Sequence, residues 1–307
     1  LAIGVFLAGR QRSSEAFFLA DRTLPWLPVA MSMYASVTSA STYLVLPGKA
    51  YAENLSMIVA CVISPLVAPL LILVVYPVYR QMRVTTSYEY IGSRFGPVAR
   101  QVVAVLFVLA RLGWLGTVLY APSLALSVMT GWPLHACLLV LGGVATFYTV
   151  LGGLAAVVWT DVLQFAILAG GAVWVLVSLC VAVPGGAAEI GRVAVETGRL
   201  RMFDLHLAGG DGSFAGIFLH MSLWSVGLHM LLNMCHEYGT DQVTVQRMMA
   251  IRDDRGVTKA ILFNAAVDFV LIAVLLCTGL GLLAFYRQAP GGLPGLASPD
   301  GILPHYI

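Results

Sequence analysis

Val29 to Tyr51 reads VAMSMYASVTSASTYLVLPGKAY. The stretch has the length of a bilayer-spanning helix, which needs roughly 20 predominantly apolar residues. Yet Ser32, Ser36, Thr38, Ser39, Ser41 and Thr42 crowd into the eleven residues at its centre. Small and hydroxylated residues let membrane helices approach closely, and that explains any one of them. Six hydroxyls on all sides of one helix exceed what packing contacts use. The economical reading is a locally unwound helix whose freed carbonyls and hydroxyls coordinate a small cation near the bilayer midplane.

The remainder of the chain supplies the membrane. Of 307 residues, 59% are hydrophobic and only 10% charged, whereas about a quarter of a soluble domain is charged. Mean hydropathy is +0.88. The runs predict a partial span at 1–9 and full spans near 26–47, 55–79, 101–129, 133–151, 156–182, 213–236 and 259–286. The Thr130-Gly131-Trp132-Pro133 turn divides two of them. Alternating β-barrel patterning is absent, so only helices satisfy the backbone in lipid. The first residues carry no basic leader, and a Gly/Pro-rich loop at 287–307 leads nowhere, so the sequence reads as a fragment cut at both ends.

Eleven Lys and Arg lie in one set of alternate loops and five in the other. The positive-inside rule makes the first set cytoplasmic. The net charge of +2 is spread over membrane-flanking loops, which gives no nucleic-acid footprint. All five cysteines fall within predicted spans without CxxC spacing, which rules out a metal knuckle and disfavours a disulfide framework.

Polar residues inside the spans are where function leaves a trace. The segment FAGIFLHMSLWSVGLHMLLNMCHE carries His220, Ser222, Ser225, His229 and Asn233. From Ser222 onward the spacing of three, four and four predicts one polar stripe facing a cavity or bundle interior. Asp268 and Arg111 each lie deep in an apolar span, where a charge is costly unless paired or hydrated. They are candidates to pair with one another. Trp159, Thr160 and Asp161 open another uncharged run. Trp159 suits the interface, Thr160 suits a helix cap, and Asp161 either favours the helix dipole or lines an inner vestibule that attracts a cation.

TFYTVLGGLAAVVWTDVLQF (Thr146 to Phe165) resembles the signature of the sodium/solute symporter family. TTSYEYIGSRFG, VLYAPSLAL and GTDQVTVQRMMA agree with it in the same order, so the resemblance covers essentially the whole chain. It is nearest the subgroup of iodide, monocarboxylate and multivitamin carriers. The resemblance implies an all-α, multi-pass membrane bundle of LeuT type, with two inverted five-helix repeats around a midplane site. On that basis residues 1–307 form part of one transporter domain. Residues 1–9 end a leading helix, 26–182 form the first repeat, 213–286 begin the second, and 287–307 form an extracellular loop.

The family implies a sodium ion held by carbonyls at the break of the first core helix, matched here by Ala35 and Thr38, with hydroxyls from an eighth helix that this chain lacks. Solute-facing positions carry over as Thr42, Cys61, Ser64, Asn233 and Asp268. Sugar-binding members place Gln, Glu and Lys at the positions of Thr42, Cys61 and Asp268, and this chain has none of them, which argues against a sugar.

A sodium-coupled importer of a small polar or anionic organic solute, seated in the cell membrane, is therefore expected. Sodium is the coupling ion and no other cofactor is expected. Beyond ion, solute and lipid, the residues indicate neither nucleic acid nor an obligate protein partner. A membrane-embedded enzyme would show a metal or nucleophile constellation such as HExxH, and none is present. A transporter-like solute sensor is the alternative, recognisable by a fused signalling domain.

Overall fold

The computed structural model describes residues 13–82, 86–203, 205, 222–289 and 298–307. The expected partial span at 1–9, His220, the first part of the 213–236 span and part of the C-terminal loop lie outside the described residues. Helix α1 (Ser14–Leu19) starts on the side chain of Ser13, which accepts from the Ala16 amide. Helices α2 (Trp26–Val37) and α3 (Ala40–Ala52) are the two halves of the hydroxyl-rich segment, bent by 65° at their junction. Helix α4 (Val59–Leu70) carries Pro65 and Pro69, and runs through a π-helical turn, Leu71–Val75, into α5 (Tyr76–Met82). A short α6 (Ser87–Phe95) precedes α7 (Pro97–Thr130), with proline at its first turn and Gly131 at φ 73° closing its end.

Helix α8 (Leu134–Ala182) joins the expected spans 133–151 and 156–182 through a kink at Gly153, whose φ of 55° and ψ of −159° suit glycine. Then come α9 (Gly186–Glu196), α10 (Leu223–Gly239), α11 (Gln242–Met249) and α12 (Asp254–Gln288). On the outer face of α9, Arg192 bonds Glu189 and holds that carboxyl below the usual carboxylate range. Among the described residues no strand forms, and four helices are long and apolar enough to cross a bilayer, five with the bent pair taken as one span.

The C-terminal segment departs from the expected loop. A 3-10 turn at Pro299–Gly301 and helix α13 (Ile302–Tyr306) fold back onto α3, because Ile302 and Leu303 find a buried place beside Leu179 and Leu282. Short helices α6, α9 and α11 are likewise absent from a reading by apolar runs, since their faces are too mixed to register.

Helix α12 is the hub, packing on α2, α3, α4 and α8. It approaches α3 closely because Gly279 has no side chain: a Cβ there would overlap the Pro47 carbonyl and the Ala50 methyl. At one end, Leu24 and Ile251 form an isolated parallel bridge, with the Leu24 amide donating to Ala250 O at 3.1 Å. That bridge ties the entry to α2 to the turn before α12.

Candidate functional site

The break between α2 and α3 is the organising feature. Thr38 (ψ 124°) and Ser39 (ψ 166°) are both extended, so helical hydrogen bonding stops at Val37 and resumes at Ala40. The last turn of any helix leaves four carbonyls without intrahelical donors. The Thr38 amide satisfies Tyr34 O at 2.9 Å, and the carbonyls of Ala35 and its successors are left at the junction. Ser39 and Ser41 hydroxyls bond one another at 2.5 Å just beyond it.

Three other helices bring polar groups to this junction. On α4, Cys61 and Ser64 lie almost one turn apart and both face α12: the thiol donates to Phe269 O at 3.6 Å and the hydroxyl donates to Asp268 Oδ2 at 2.8 Å. Pro65 supplies no amide, so the Cys61 carbonyl has no donor four residues on. The phenol of Tyr34, on α2, lies beside Thr38, Tyr43, Cys61 and Asp268. From α10, Tyr238 lies beside Asp268 and Glu237, and Asn233 beside Glu237. Thr42 is half-buried on the first turn of α3.

The structure thus gathers Cys61, Ser64 and Asp268 directly and sets Thr38 close by through Tyr34. The polar stripe on α10 divides instead of facing one space. Ser222 and Ser225 bond each other as a reciprocal cap of the helix, and His229 is exposed. The Arg111–Asp268 pair does not form. Arg111 bonds Asp241, the residue that caps α11, and stacks over Phe107 and Trp114.

Asp161 also differs from its expected setting. It lies two turns past the Gly153 kink, far from a helix start, and Thr160 bonds back to Ala156 O and Val157 O within the helix instead of capping it. The Asp161 carboxylate is buried and accepts from Ser32 at 2.6 Å, Ser36 at 3.3 Å and Arg247 at 3.0 Å. Arg247 also donates to Ser32 Oγ at 2.7 Å. This closed network fastens α2, α8 and α11 together beneath the break. Two of the six hydroxyls that suggested an ion site therefore serve this structural anchor.

The family model described as sodium:solute symporter family matches residues 17–296. The chain belongs to that family. It is 32% identical over 297 residues to the sodium/iodide cotransporter of Homo sapiens, covering 96% of this chain and 45% of the relative. It is 29% identical to sodium-coupled monocarboxylate transporter 2 of Bos taurus over 99% of this chain and 49% of that one. A sodium/sialic acid symporter of Proteus mirabilis is 25% identical, with coverages of 100% and 60%. The chain spans about half the length of the curated relatives it matches. A solved structure, the substrate-bound outward-open state of a Na+-coupled sialic acid symporter, superposes with a TM-score of 0.88 at 24% identity, over 99% of this chain and 63% of that one. At that identity the likeness carries the fold, which is the LeuT-type membrane bundle.

Within this symporter-family fold, sequence reasoning missed Tyr34, Glu237, Tyr238, Arg247 and Asn264. Aromatic and amide residues within apolar runs look like packing or interface anchors. Arg247 counted as a loop charge although only 6% of it is exposed. Its place in the motif GTDQVTVQRMMA was the available signal.

Proposed function

We propose that this chain is part of a sodium-coupled symporter that imports a small polar or anionic organic solute by alternating access. Residues 26–182 would be its first repeat and 213–286 the start of its second. The observation that carries the reading is the break at Thr38–Ser39, which leaves the Ala35 and Thr38 carbonyls free of helical partners at the junction of four helices. Those two carbonyls hold sodium. Thr42, Cys61, Ser64, Asn233 and Asp268 face the solute, offering hydroxyl, thiol, amide and carboxyl contacts. Relatives named for iodide, monocarboxylate and sialic acid support an anionic solute. The basic residues nearest the site are already paired, Arg111 with Asp241 and Arg247 with Asp161. Positive charge for the solute then comes from bound sodium and from helix N-termini.

The test is uptake of radiolabelled short monocarboxylates into proteoliposomes holding the full-length protein. Replacing sodium by choline should abolish concentrative uptake, and glucose should compete poorly. Accumulation that continues undiminished in sodium-free, pH-clamped medium sinks the reading.

A further inference from the structure

A cavity of about 1010 Å³ opens where α1, α5 and the start of α12 meet. Ligand sites run from about 300 to 1,000 Å³, so this one has room for a headgroup and the beginning of an acyl chain. Three arginines line it: Arg22 after α1, Arg80 on α5 and Arg252 in the turn before α12. All three fall in the loop set that the positive-inside rule makes cytoplasmic, the leaflet that carries a negative surface potential. Backbone contacts hold them together. Arg80 Nη1 donates to Ile251 O at 2.8 Å, and the next amide, that of Arg252, donates to Leu24 O at 3.3 Å, two residues beyond Arg22. Three segments distant in sequence thus present guanidinium groups to one space.

Two carboxylates line the same space, but they stand at its rim. Glu15 and Asp254 are 58% and 83% exposed as side chains, whereas their partners Arg22 and Arg80 are 22% and 19% exposed. Arg252 makes no side-chain hydrogen bond or ion pair among the described residues. Three arginines against two carboxylates leave one positive charge to be met from outside. A phosphodiester carries one negative charge, and its oxygens suit the guanidinium fork. The rest of the wall is apolar, from Phe18, Ile72, Pro77 and Val257. Above it, exposed Leu66, Leu70 and Leu73 lead down to Pro77 at intervals of four, three and four, and exposed Leu262 lies four residues on from Thr258. Free phosphate has no use for such a wall, whereas an acyl chain does. We propose that this cavity binds an anionic phospholipid of the cytoplasmic leaflet, with its phosphodiester on Arg80 and Arg252 beside Arg22 and its chains along α4, α5 and α12. Because Arg22 and Arg252 flank the Leu24–Ile251 bridge, the bound headgroup clamps the entry to α2 onto the turn before α12.

The test is thermal unfolding of the purified full-length protein in neutral detergent, titrated with phosphatidylglycerol, phosphatidylcholine or inorganic phosphate. A ligand that binds only the folded state raises the melting temperature, so the half-saturating concentration reports affinity. Phosphatidylglycerol should stabilise saturably, and the other two should do little. Arg252→Gln changes an exposed side chain and should raise the half-saturating concentration about tenfold, the worth of one hydrogen bond to a charged group. Arg94→Gln removes an exposed arginine of the same loop set outside the cavity and should leave the titration unchanged. Arg80→Gln, expected to weaken binding likewise, replaces Arg252→Gln should that variant fail to fold. Equal losses in Arg94→Gln and Arg252→Gln reduce the effect to general surface charge and overturn the proposal. Equal stabilisation by phosphatidylcholine overturns it too, and inorganic phosphate that matches phosphatidylglycerol leaves an anion site with no lipid in it. The readout is binding, not uptake, so failure here leaves the symporter reading standing.

Discussion

Replacing Asp161 by alanine tests the anchor beneath the break. The carboxylate and the Arg247 guanidinium are 10% and 8% exposed as side chains and meet at 3.0 Å. Removing one partner of such a pair leaves a buried charge, which costs about 3–5 kcal/mol. Arg247 would keep Ser32 Oγ and Val243 O, neither of which carries charge. Ser36→Ala is the calibrating control: it deletes a 3.3 Å bond to Asp161 and a 2.8 Å bond back to Ser32 O within α2 but strands no charge, and interhelical hydrogen bonds in membranes average about 0.6 kcal/mol. The ratio between the two losses is therefore diagnostic. Substituting both charges, Asp161→Ala with Arg247→Met, should recover most of the loss, because no charge is then stranded. Thermal and denaturant unfolding of the full-length protein in detergent, arranged as a double-mutant cycle, measures all four species. If Asp161→Ala costs under about 1 kcal/mol and Arg247→Met restores nothing, the carboxylate is hydrated and the burial argument is wrong.

Gly279→Ala should separate α12 from α3, since the added methyl would overlap the Pro47 carbonyl, and backbone cannot swing aside as a side chain does. Overpacking of this kind costs about 1–3 kcal/mol, read as a lower melting temperature. Asp241→Ala loses both the cap on the Val243 amide and the Arg111 pair, so it should destabilise by about 2 kcal/mol, more than Arg111→Ala. Combining Arg111→Ala with Asp268→Asn should give additive losses; strong coupling in that cycle would revive a direct pair between them.

Run lengths in the sequence determined the membrane class and most of the spans, because bilayer thickness is a one-dimensional constraint that each helix meets alone. The crowded hydroxyls from Ser32 to Thr42 located the break for the same local reason: no continuous lipid-embedded helix has use for them all. The turn at Gly131 was equally legible between apolar runs, whereas the expected separation of spans 133–151 and 156–182 turned out to be a kink at Gly153 inside one helix. Partner choice was not legible. Asp161 finds Arg247 across 86 residues, Arg111 finds Asp241 across 130, and Ser64 finds Asp268 across 204. Each pairing depends on how far one helix is rotated and tilted against another, and a shift of one residue turns a side chain through about 100°. Periodicity names the polar face of a helix, but only the packed bundle decides which neighbour that face meets. For that reason Asp161, read along the chain either as favouring a helix dipole or as lining a vestibule, meets Ser32 and Arg247 instead, and a small cavity at Tyr238 and Asn264 emerged from residues that read along the chain as ordinary packing.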